Sequence, residues 1–86
     1  MDTTKQRAAT AIKLLRLAEN ATKQGNLTIA QGALQKCLGT TSNEKVQARA
    51  LFRLGQVHSL LGDPDTATLC FLGAAQRDAS LGVTAR

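Results

Sequence analysis

The chain repeats itself at an offset of 37 residues, the separation of Gly25 from Gly62. At that offset Asn26 falls on Asp63, Leu14 on Leu51, Arg16 on Arg53, Leu17 on Leu54 and Ala18 on Gly55. Ala30 falls on Ala67, Leu34 on Phe71 and Cys37 on Ala74. Small residues meet small ones and large residues meet large ones. A unit of this size that recurs is one supersecondary element, unable to bury its apolar face alone and stacked on its neighbour. The repeat therefore predicts one 86-residue domain made of two similar halves, about 5–41 and 42–80, with a short tail over 81–86.

Each half reads as a helical hairpin. Ala, Leu, Gln, Lys and Arg are abundant, Pro occurs once, and β-branched residues never alternate as a strand would require. Asp2, Thr3 or Thr4 is placed to cap a first helix from about Lys5 to Gln24. Its apolar stripe is Ala8, Ala11, Ile12, Leu15 and Ala18, widened by Leu14, Leu17 and Ala21. Gly25-Asn26 stops that helix, because Gly reaches positive φ without a Cβ clash. A second helix is expected from about Leu27 to Leu38, with Ala30, Ala33, Leu34, Cys37 and Leu38 inward and a loop over 39–43. Ser42 or Asn43 caps a third helix running to about Leu61, lined by Val46, Ala50, Leu51, Leu54, Val57, His58 and Leu61. Gly62-Asp63 repeats the stop. Asp63 caps a fourth helix with Pro64 in its first turn, where a missing N–H is harmless, and that helix is expected to reach about Ser80 and to end at Gly82. Short turns make consecutive helices antiparallel. Small residues at Ala18/Gly55 and Ala30/Ala67 would let the helices of each hairpin approach, with Leu17/Leu54 and Leu34/Phe71 filling the space beside them.

Composition excludes several classes of function. The chain carries one His and two Cys, Cys37 and Cys70, without a CxxC or a zinc spacing, so no metal or other cofactor is expected. With Met1 first and no apolar leader, the two thiols are expected free and buried in a reducing cytoplasm. The longest apolar run, Leu69 to Leu72, is too short to cross a bilayer. The net charge of +5 raises the question of nucleic acid, but the basic residues are scattered in no run, and no exposed-looking aromatic is expected beside them for base stacking. A solvated basic surface is the simpler reading, with an acidic protein partner second. His58 falls on the apolar stripe of the third helix, a packing position, and is not set in a triad signature, and no acid pair or Gly-rich phosphate loop occurs, so the chain does not read as an enzyme.

Residues 48–79 resemble the tetratricopeptide repeat. Leu51, Leu54-Gly55, His58, Gly62, Ala67, Phe71 and Ala74 stand where that motif has its large residue, Leu-Gly, aromatic, turn Gly, Ala, aromatic and Ala; Ala79 replaces the closing Pro. Residues 11–42 match more weakly through Leu14, Leu17-Ala18, Ala21, Gly25, Ala30, Leu34 and Cys37, with Ser42 in place of the Pro. The family unit is about 34 residues, so the longer offset implies extra loop residues between the hairpins. The resemblance implies an all-α fold of two antiparallel hairpins stacked as a short right-handed superhelix. It implies an adaptor or small chaperone that holds a peptide or helix of another protein on a concave surface formed by the first helix of each hairpin. Carried over by position, that surface would display Ile12, Leu15, Glu19 and Thr22, then Arg49, Phe52, Gln56 and Ser59. Phe52 is either inter-repeat core or an exposed anchor. One subclass grips a C-terminal carboxylate with Lys, Asn and Arg; Arg49 and Arg53 have the spacing of its last pair, but Leu15 and Glu19 stand where Lys and Asn are needed. That reading fails, and both arginines are expected to be solvated.

The fourth helix carries a second apolar row, Thr68, Leu72, Ala75 and Ala79, with Leu81 beyond it, and with the sequence ending at Arg86 the row is expected to stay uncovered. An uncovered apolar patch marks an interface. This motivates an alternative function, a self-associating scaffold subunit, with a homodimer favoured over a different protein at this face.

Overall fold

The computed structural model describes residues 3–78 and is built from α-helix, with no strand among the described residues. Four helices follow in order: α1 (Thr3–Lys23), α2 (Leu27–Thr40), α3 (Glu44–Leu60) and α4 (Pro64–Arg77). α1 packs along α2 and α3 along α4, so the chain forms two hairpins. α2 packs on α3, and α1 touches α3 more lightly. α3 is therefore the element that joins the hairpins.

The helix stops repeat in atomic detail. After α1, Asn26 N–H donates to the Ala21 carbonyl (2.7 Å) and Gly25 N–H to that of Thr22 (3.0 Å). After α3, at the 37-residue offset, Asp63 N–H donates to His58 (2.9 Å) and Gly62 N–H to Ser59 (3.1 Å). This paired arrangement needs a left-handed residue just past the helix, and Gly25 and Gly62 supply it at φ 81° and 83°. The starts differ. Asn43 caps α3 by accepting from the N–H groups of Lys45 and Val46, and Asp63 caps α4 by accepting from Thr66. Asn26 stands at the same place before α2 but makes no side-chain cap.

The core is rich in alanine. Ala11, Ala18, Ala30 and Ala50 are fully buried, and Leu34, Val57 and Cys37 are the largest side chains sealed from solvent. Such a core holds by close backbone approach more than by bulk. Cys37 Sγ–H reaches the Ala11 carbonyl across the first hairpin at 3.3 Å.

Four expectations need correction. α2 runs two residues further than expected: Gly39 and Thr40 are helical, with the Thr40 hydroxyl closing back on Lys36 (2.7 Å) and Thr41 N–H on Cys37 (3.2 Å). α4 ends at Arg77, because Asp78 is extended at φ −142°, ψ 102°. Leu17 does not share the burial of Leu54; it is 51% exposed while Leu54 is 7%. The α3 face bearing Ala50, Leu54 and Val57 joins the core with hairpin 1, whereas Leu17 borders an open depression with Ile29, Gly32 and Lys36 of α2. Leu61 and Ala8 are exposed rather than core; Leu61 sits at the cap position, past the last helical residue. The expected cap Asp2, the row member Ala79 and the stop at Gly82 lie outside the described residues.

Candidate functional site

α1 and α3 run side by side as the first helices of their hairpins, and their facing residues meet at Glu19. Its carboxylate accepts from Arg53 Nε at 3.0 Å and from Arg49 Nη2 at 3.5 Å. Arg53 Nη1 also donates to Gln56 Oε1 at 3.1 Å. The two arginines are thus not simply solvated. Glu19 cancels part of their charge and ties hairpin 1 to hairpin 2. A pair this open to solvent contributes roughly 0–1 kcal/mol, so its main effect is on register and surface charge.

One turn further along, Thr22 of α1, Gln56, Ser59 and Leu60 of α3, and Phe71 of α4 line an open depression of about 350 Å³. The Thr22 hydroxyl bonds its own helix at the Ala18 carbonyl, 2.8 Å away. Neutral hydrogen-bonding groups on a mostly apolar floor suit the backbone and mixed side chains of a polypeptide better than a highly charged ligand. Ile12 is 44% exposed beyond Glu19 and extends the same strip toward the start of α1.

Leu15 is placed elsewhere than expected. It is 3% exposed and packs in the core with Leu34 and Leu54, so it offers no surface to a partner. Phe52 is half-buried, with its ring tilted 55° against that of Phe71 at a centroid distance of 5.4 Å. Its alternatives, core residue or exposed anchor, resolve into a shared position. Leu60 and Phe71 were not anticipated in the depression. Leu60 follows Gln56 by one helical turn, a spacing the sequence shows. Phe71 arrives from α4 and has no local signal.

On the outer side, Thr68 and Leu72 of α4 are exposed and Ala75 is half-buried. Leu69, one turn before Leu72 and Gly73, is more exposed still, at 69%. The Thr68 hydroxyl is turned back onto the Pro64 carbonyl at 2.9 Å. A second shallow depression lies on hairpin 1 between Leu14 and Leu17 of α1 and Ile29, Gly32 and Lys36 of α2.

The groups with chemical potential are subdued. Burial raises the Cys37 thiol above its ordinary pKa, and burial followed by the charge of Asp63 raises that of Cys70. Both thiols are therefore protonated near neutrality and are poor nucleophiles. His58 Nδ1 lies 4.0 Å from Asp63 Oδ2. That carboxylate is held below its ordinary pKa by hydrogen bonds from Thr66, side chain first and backbone second, as the cap of α4. Among the described residues no three His, Cys, Asp or Glu side chains gather to hold a metal ion, and no helix is long and apolar enough to cross a membrane.

Comparison with protein-family models, with curated proteins and with solved structures finds no match to this chain.

Proposed function

We propose that this chain is a tetratricopeptide-like protein-interaction module, an adaptor or small chaperone whose groove between α1 and α3 holds a peptide or helix of another protein. The observation that carries the reading is the depression where Thr22 of hairpin 1 meets Gln56, Ser59 and Phe71 of hairpin 2. Groups from separate repeats share one concave surface, and their chemistry is neutral, polar and apolar by turns. The Glu19 carboxylate masks Arg49 and Arg53, so the groove has no unbroken basic stripe to draw in nucleic acid. Two free, buried thiols accord with a reducing compartment such as the cytoplasm.

A second reading, self-association as a scaffold subunit or homodimer, draws on α4. Leu69 and Leu72 are 69% and 57% exposed three residues apart, an apolar strip on a small helix.

The two readings separate in one experiment. A random peptide library displayed on phage is selected against the purified chain, and enriched peptides are titrated into ¹⁵N-labelled protein. The adaptor reading expects enriched sequences whose shifts centre on Thr22, Gln56 and Ser59. Absence of enrichment, together with a concentration-dependent dimer by light scattering, would replace it with the scaffold reading.

A further inference from the structure

The two hairpins present the same face to different surroundings. At the 37-residue offset, Leu15 and Leu34 of hairpin 1 correspond to Phe52 and Phe71 of hairpin 2. Leu15 is 3% exposed and Leu34 is fully sealed. Phe52 and Phe71 are only half-buried, although their rings pack on each other. The element that covers the first pair is α3, which sets Ala50, Leu54 and Val57 into one core with Leu15 and Leu34. Among the described residues no helix takes that place over Phe52 and Phe71. Among the described residues the end of hairpin 2 is therefore a second copy of a socket whose plug is known: a helix with a small residue, a Leu four positions on and a β-branched residue three beyond that.

The other end of a second copy does not supply this plug. The α1 residues matching Ala50, Arg53, Leu54 and Val57 are Lys13, Arg16, Leu17 and Asn20, and all four are exposed. Head-to-tail stacking would bury the Lys13 ammonium where Ala50 is 0% exposed, and an unpaired buried charge is strongly unfavourable. That face of α1 carries Lys13, Arg16 and Asn20 around the exposed Leu17, whereas the end of hairpin 2 presents aromatic rings among the described residues.

We infer that the end face of hairpin 2, formed by Phe52, Phe71 and Ala75, docks one amphipathic helix from a different protein, whose buried stripe follows the Ala50–Leu54–Val57 pattern of α3. The interface continues the one already built between the hairpins. Neutral Gln56 stands where Glu19 receives Arg53 in the internal interface, so the docked helix needs no Arg at that position. Ala75 replaces the half-buried Leu38, which packs against the core, and leaves room for a larger side chain on the incoming helix. This surface adjoins the groove at Thr22 and Ser59 and shares Phe71 with it; shifts at Phe52 and Ala75 report on the end face, and shifts at Thr22 and Ser59 on the groove.

The probe is a synthetic peptide of residues 43–61, the α3 sequence itself, titrated into ¹⁵N-labelled full-length chain. Saturable shifts are expected at Phe52, Phe71 and Ala75, with the peptide becoming helical. Changing Leu54→Lys or Ala50→Lys in the peptide, which leaves the protein untouched, should weaken binding about tenfold or more, as should Phe52→Lys or Ala75→Glu in the protein. Circular dichroism verifies that the protein variants fold. The inference is overturned by a peptide that does not bind, by shifts confined to Thr22 and Ser59 or to Leu17 and Ile29, or by a chain that already dimerises through this face and excludes the peptide.

Discussion

A Cβ placed on Gly55 would lie 2.7 Å from Cε1 of Phe71, closer than side-chain atoms tolerate. In hairpin 1 the same two positions hold Ala18 and Leu34. The pairs are complementary in volume: the larger ring faces the smaller residue. This is why the second hairpin, with a Phe where the first has a Leu, keeps a similar close crossing.

Gly55→Ala should therefore destabilise by about 1 kcal/mol, the overpacking outweighing the gain in helix propensity. Phe71→Leu on the Gly55→Ala background recreates the Ala18/Leu34 pair. The double variant should lie above the sum of the single losses in urea denaturation. A more stable Gly55→Ala protein would mean that the ring moves aside freely.

Ala30 and Ala67 sit at the other close crossings, 0% and 3% exposed. Ala30→Leu and Ala67→Leu should each lower stability by about 1–3 kcal/mol, read from the denaturation midpoint at constant slope. Wild-type midpoints for both would show that the helices pack in a different register.

The hairpin stops were legible because each needs one atom-scale feature, a residue at positive φ, and Gly marks it in the chain. The fold class followed from those stops and from the period of the apolar residues. Leu17 and Leu54 show where the reading ran out. Repeat equivalence matches side-chain size, but burial depends on what lies beyond the repeat, and a short stack has two unlike ends. The same limit hid the end face at Phe52 and Phe71. The bond between Glu19 and Arg53 was illegible for a different reason: it spans 34 residues and arises only when the hairpins stack. Gly39 misled in the opposite direction, since a Gly inside a final turn carries no local sign that Thr40 and Thr41 will close it.

Asp63 gives the chain a pH-sensitive joint. Its folded carboxyl is depressed by the Thr66 hydrogen bonds, so its stabilising effect is full above the ordinary carboxyl range and fades as pH falls through the depressed value. The thermal midpoint should fall on acidification below about pH 4. Asp63→Asn keeps an acceptor for Thr66 N–H and should flatten that part of the profile; Asp63→Ala should lower the midpoint at neutral pH as well. Identical acid profiles for wild type and Asp63→Asn would remove the cap from this role.

Cys37 and Cys70 are free and buried. A thiol reagent at neutral pH should modify native protein slowly and both thiols rapidly in denaturant, with Cys37, fully sealed and bonded to Ala11, the slower in the native state. Fast stoichiometric modification of native Cys37 would show that hairpin 1 opens far more readily than its packing implies.

The claim that the groove between α1 and α3 holds another polypeptide is tested most directly by photo-crosslinking. A photoreactive amino acid replaces Gln56 in the groove or, as control, Arg16 on the outer face of α1, and each protein is illuminated in extract of its source cell. The account predicts discrete adducts of defined mass from position 56, competed away by peptides that shift Thr22 and Ser59, and none from position 16. Equal labelling from both positions, or none from position 56, would contradict it.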